Sequence, residues 1–109
     1  MKSDAASFFD DEADLHQRDA NAIAEEAACV SRRADLVAGI AAVKEKEAAV
    51  AEDESEASRL RFESEAARRE SETLKQVERT LIAEQERSVA QARTARQKSV
   101  MARSGSPSR

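Results

Sequence analysis

The chain has 109 residues, a net charge of −4 and 37% charged residues, and its 40% hydrophobic fraction is mostly alanine. Ala accounts for 23 positions, against 18 for Leu, Ile, Val and Phe together. Those numbers exclude a globular core of ordinary thickness and leave a long helix, a thin helical bundle or disorder.

Helix is favoured over disorder, because Ala, Glu and Arg all favour it and only two Gly and one Pro occur. Gly105 and Pro107 stand at the very end. The expected fold class is all-α, with long helices forming a coiled coil or an antiparallel helical hairpin or bundle, and a flexible basic C-terminal tail. The single Cys29 allows no intrachain disulfide and suits a reducing compartment. No apolar run has the length of a transmembrane helix or a signal-peptide core, so a cytoplasmic, soluble protein is expected.

In chain order, residues 1–7 read as a flexible N-terminus. Ser7, Phe8, Phe9 and Asp10 have the spacing of a capping box, with Asp in place of Glu. Asp10, Asp11, Glu12 and Asp14 then load a helix start with negative charge, where the dipole favours it. The first helix is predicted from about residue 8 to Ala51. Within it Ala13, Ala20, Ala27, Ala34, Ala41 and Ala48 recur every seven residues. A second seven-residue track, Phe9, His16, Ile23, Val30, Val37 and Lys44, runs beside the first, and together they form a heptad seam. A third track, Cys29, Leu36, Val43, Val50 and Ala57, with Ile40, widens the apolar face to about half the circumference. That breadth predicts at least two neighbours.

Residues 52–58 interrupt the large apolar side chains, and a turn there is compatible with the sequence. A second helix follows to Ala102, with Leu60, Ala67, Leu74 and Leu81 repeating every seven and Val77 beside them, before the stripe shifts to Ile82, Val89 and Ala92. Residues 103–109 read as a disordered tail. The predicted packing face therefore comprises Ile23, Ala27, Val30, Ala34, Leu36, Val37, Ile40, Ala41, Val43, Val50, Leu60, Leu74, Val77 and Leu81. A hairpin turning near 52–58 is the favoured architecture; the alternative is one continuous rod of about 140 Å at 1.5 Å per residue. Charge is consistent with the hairpin, and equally with chains that associate tail to head. Residues 1–58 carry 15 acids and 6 bases, and residues 59–109 carry 7 acids and 12 bases. The acidic half would lie along the basic half.

No catalytic constellation is visible. His16 has no nucleophile or acid partner singled out, and Glu12, four residues earlier, makes only a two-residue metal pattern. Cys29 reads as a small hydrophobe. The acidic cluster lacks the glycine and spacing of a calcium loop, and no phosphate-binding loop occurs. The chain is therefore expected to be no enzyme, to hold no metal or cofactor, and to act on no small-molecule substrate.

The acid-free stretch after Glu86 is the best binding candidate. Arg87, Arg93, Arg96 and Lys98 are expected to meet an acidic protein surface. Nucleic acid is disfavoured by the net negative charge and the lack of interleaved aromatics, and membrane by the lack of bulky apolar companions. Ser99, in Arg96-Gln97-Lys98-Ser99, and Ser106, before Pro107, match phosphorylation patterns that would cancel this charge.

Glu70-Ser71 followed by Leu74 and Leu81 resembles a helical segment of the tubulin-folding cofactor A chaperones, although their proline is missing here and residues 1–30 have no counterpart. That resemblance implies a three-helix bundle and an assembly-chaperone role. The residues themselves suggest a non-enzymatic coiled-coil subunit, scaffold or adaptor of a larger intracellular assembly, cytoskeletal or microtubule-associated, that binds other helical proteins or itself.

Overall fold

The structure, a computed structural model, describes residues 2–105, with side chains from residue 4 onward. It contains two helices, α1 (Lys2–Val50) and α2 (Glu54–Arg103). Of the span 8–102, only residues 51–53 are non-helical. The fold is all-α, and the chain turns instead of continuing as a rod. The three-helix bundle implied by the resemblance is not formed.

Asp53 explains the turn. Its carboxylate accepts a hydrogen bond from the Ser55 amide at 3.3 Å, and its carbonyl accepts the first helical bond of α2, from the Ala57 amide at 2.9 Å. Asp53 is therefore the N-cap, and Glu54 and Glu56 supply the negative charge that a first turn favours. The bend needs neither Gly nor Pro, only a side chain that satisfies a helix-start amide. Most of the stretch 52–58 is thus the first turn of α2, not a loop.

Two compact units are built from these helices. One comprises Glu26–Thr80 and is a helical hairpin. On its α1 side Ala27, Ala34, Ala41 and Ala48 are buried, and on its α2 side Ala57, Leu60, Ser64 and Ser71. Ser64 Oγ donates to the Ala41 carbonyl at 2.9 Å, and Ser71 Oγ donates to the Ala34 carbonyl at 3.0 Å. Seven residues forward on one helix match seven back on the other, so the strands of the hairpin run antiparallel in heptad register. A serine hydroxyl reaches the opposite main chain only where both facing residues are small and the helices approach closely. The flanks are tied by charge across the hairpin: Lys44 to Glu63 at 2.8 Å, Arg33 to Glu70 at 3.8 Å, and Arg68 to Glu45.

The other unit pairs Met1–Glu25 with Leu81–Arg109. Ala6, Ala13 and Ala20 are buried here with Leu81, Ala92, Ala95 and Ser99. Ser99 lies 3.3 Å from the Ala6 carbonyl, repeating the serine-to-backbone contact of the hairpin unit.

Three boundaries differ from expectation. Residues 2–7 belong to α1, because Ala5 and Ala6 favour helix and Ala6 is buried in the seam. Ser7 is consequently an interior, exposed helical residue and caps nothing. At the other end α2 reaches Arg103 and closes at Gly105, whose φ of 69° suits the left-handed position after a helix. Residues 106–109 lie outside the described residues.

Candidate docking face

The structure sorts the predicted packing residues into two sets. Ala27, Ala34, Ala41, Leu60 and Leu81 are buried, and Ile23, Val30, Val37 and Leu74 are half-buried. Leu36, Ile40, Val43 and Val50 of the third track, and Val77 of the second helix, are exposed and not packed within the chain. Geometry supplies the reason. Each of Leu36, Val43 and Val50 follows an Ala of the buried column by two residues, a rotation of about 200° at 100° per residue. One antiparallel neighbour covers the Ala track and its companion and leaves the third track outward.

The outcome is a stripe of large apolar side chains on the outer side of α1 in the hairpin unit. Leu36 is 70% exposed, Val43 55% and Ile40 50%. Arg32, Asp35, Gly39, Lys44 and Glu47 complete a shallow groove with these three residues. Gly39 lies in the middle of it, and a Cβ built there would meet nothing within 4 Å. A helix-interior Gly costs about 1 kcal/mol relative to Ala. No contact among the described residues requires Gly39 to lack a side chain. Cys29, also exposed, accepts a weak bond from Arg32 at 3.5 Å.

The four basic residues divide between two grooves. Arg87 and Lys98 border one groove with Glu12 and His16, whereas Arg93 and Arg96 flank Gln97, Val100 and Met101 in another. They do not form one patch. Arg96 donates to Gln17 Oε1 at 3.2 Å, and the Lys98 ammonium lies 5.8 Å from the centre of the Phe9 ring, which packs edge-to-face on Phe8. Two of the four are therefore already engaged within the chain.

Ser99, which matches a phosphorylation pattern, is 1% exposed. Its hydroxyl donates to Asp10 Oδ1 at 2.6 Å and accepts from Arg103 Nη1 at 2.8 Å, while Arg103 also bonds Asp10 directly. The Ser99 hydroxyl, followed by Arg103, holds the Asp10 carboxyl below its usual pKa. Lys44, helped by Arg59, does the same to Glu63. Ser106 lies outside the described residues.

Glu12 and His16 approach to 3.9 Å, and no group of three or more His, Cys, Asp or Glu that could hold a metal occurs among the described residues. Among them, too, no helix is long and apolar enough to cross a membrane. The α2 half of the seam is completed by Ser64, Ser71 and Ser99, none of which the predicted packing face includes. Their signal was spacing, since Ala57, Ser64 and Ser71, and then Ala92 and Ser99, keep the seven-residue interval on small side chains. No protein family, no curated protein and no solved structure matches this chain.

Proposed function

We propose that this chain is a non-enzymatic helical interaction protein, a small subunit or adaptor that joins a larger assembly through the outer face of α1. The observation that supports this reading is the stripe of Leu36, Ile40 and Val43, exposed while alanines fill the seam. Large apolar side chains bury far more area per residue than alanine, yet here they face water, a distribution suited to a partner surface. The grooves bordered by Arg87 with Lys98 and by Arg93 with Arg96 provide weaker, charge-based contacts to an acidic protein surface.

Affinity capture from the native source, comparing wild type with Leu36→Asp/Val43→Asp, tests the reading. Both positions are exposed, so helicity should persist while the retained proteins, further copies of the chain included, are lost. Equal retention by the variant would sink the assignment of this face.

A further inference from the structure

We propose that the occupant of this face is a second copy of the chain, bound antiparallel about a twofold axis that passes between Gly39 and Ile40. The proposal rests on the docking reading above and supplies its partner.

The order of residues along the groove carries the argument. A twofold axis between Gly39 and Ile40 sets each residue level with the one equally distant on the far side of the axis. Leu36 then lies level with Val43 of the second copy, and Arg32 with Glu47 of the second copy. Both relations occur twice, as in any contact in which the same patch serves both partners. Nearest the axis, Ile40 lies level with Gly39 of the second copy, and Gly39 with Ile40 of the second copy, so each isoleucine faces a position without a side chain. Gly39, without a use inside its own chain, gains one here by permitting close approach.

Charge selects the antiparallel direction. The groove has Arg32 at its N-terminal margin and Glu47 at its C-terminal margin. Antiparallel copies put unlike charges together, whereas parallel copies in register would oppose Arg32 to Arg32 and Glu47 to Glu47. Neither residue forms an ion pair within its own chain among the described residues, so both remain available. On one edge of the contact, Asp35 and Lys46 fall within two residues of the same level and are likewise exposed and without an intrachain ion pair. On the other edge Arg33 and Lys44 come near each other, but Glu70 and Glu63 already neutralise them. A foreign helix would need a matching apolar run bracketed by the opposite charges; this chain already carries one.

From Cys29 to Val50 the contact extends about 30 Å along α1, at 1.5 Å per residue. A single helix pair of that length lies at the small end of specific interfaces, so the association should be reversible and concentration-dependent.

Sedimentation of the full chain over the micromolar range should show the mass rising toward twice that of one chain. Arg32→Glu alone, or Glu47→Arg alone, should raise the dissociation constant several-fold, because twofold symmetry counts each substitution twice. The pair Arg32→Glu/Glu47→Arg should restore it. Gly39→Ala should raise the melting temperature of the isolated chain while weakening the dimer, two effects of opposite sign that general misfolding cannot produce. For direction, two chains in a Cys29→Ala background, one carrying Leu36→Cys and the other Val43→Cys, should give a mixed disulfide dimer on mild oxidation. A mass fixed at one chain at every concentration overturns the second copy. If that monomer still captures proteins through Leu36 and Val43, the docking reading survives the failure. A dimer indifferent to all of these charge and glycine changes places the self-contact elsewhere and overturns the proposal equally.

Discussion

Along α1 in the hairpin unit, the residues turned to α2 are Ala27, Ala34, Ala41 and Ala48, while Leu36, Ile40, Val43 and Val50 stand in solvent. The usual distribution puts large apolar residues inside and leaves the surface to polar ones. Here the two faces have exchanged side-chain size. An inner seam of alanines removes little apolar area per residue, so hydrophobic transfer contributes modestly to it. Its stability comes instead from close helix contact, with dispersion along the backbone and serine hydroxyls on the opposite carbonyls. The comparison separates two demands on one helix: small residues where a permanent neighbour must come close, large ones where no neighbour is yet present.

The largest expected effect tests the inner face. Ala41→Leu should destabilise the chain by about 1–3 kcal/mol, because a close-packed seam cannot accept three more carbons without moving the backbone. Leu36→Ala on the outer face should stay within about 0.5 kcal/mol in the dissociated chain. Urea melts at low concentration check both. Equal losses would mean that the two faces are packed alike. The same measurement should rank Val37→Asp, half-buried beside the seam, well above Glu47→Gln.

The contrast also explains what was legible in the sequence. Heptad spacing located the Ala column and its companion track on α1, since both depend only on the 3.6-residue period and a single neighbour. It misplaced Leu36, Val43 and Val50, because apolarity alone does not say whether a face is covered within the chain or by another molecule. On α2 the omission runs the other way. Ser64, Ser71 and Ser99 are buried, but hydroxyls score as polar, and only their register with Ala57 and Ala92 marks them as seam. The turn could have been placed from Asp53 followed three residues later by Glu56, the same pattern that was credited to Ser7 and Asp10. The clustering of Arg87, Arg93, Arg96 and Lys98 in sequence did not survive as clustering in space, since their spacing spreads them around α2.

A smaller effect sharpens the account of how the inner face holds. Ser71→Ala should cost about 1 kcal/mol, the net value of one ordinary hydrogen bond. The Ala34 carbonyl keeps its own helical partner, so no buried acceptor is orphaned and the loss should not exceed that range. Ser71→Val should cost more, because the added bulk forces the helices apart. If Ser71→Ala left the urea midpoint unchanged, close packing alone would hold the seam and the hydroxyl would be incidental.

The smallest effect concerns acid, and compares the charge ties of the two units. Asp10 in one unit and Glu63 in the other both have lowered pKa values, through Ser99 with Arg103 and through Lys44 with Arg59 respectively. A carboxyl whose folded pKa lies below its unfolded value is protonated more readily in the unfolded chain. Its contribution is therefore complete above the unfolded value and is lost as the pH falls through the folded one. Stability should accordingly drop below about pH 4, the ordinary carboxylate range. Asp10→Asn and Glu63→Gln should each lower stability at neutral pH and flatten the acid-side slope, because the variant has no proton left to take up. Melting temperatures of the three proteins between pH 3 and 7 make the comparison. High salt should weaken the advantage of wild type over both variants at pH 7, since these partly exposed pairs are screened over about 8–10 Å. Ser99→Ala, which removes an uncharged donor, should keep its effect in salt, whereas Asp10→Asn, whose amide oxygen still accepts from Ser99, should lose most of its own. Identical salt responses would show that the serine bond adds nothing to the arginine contact.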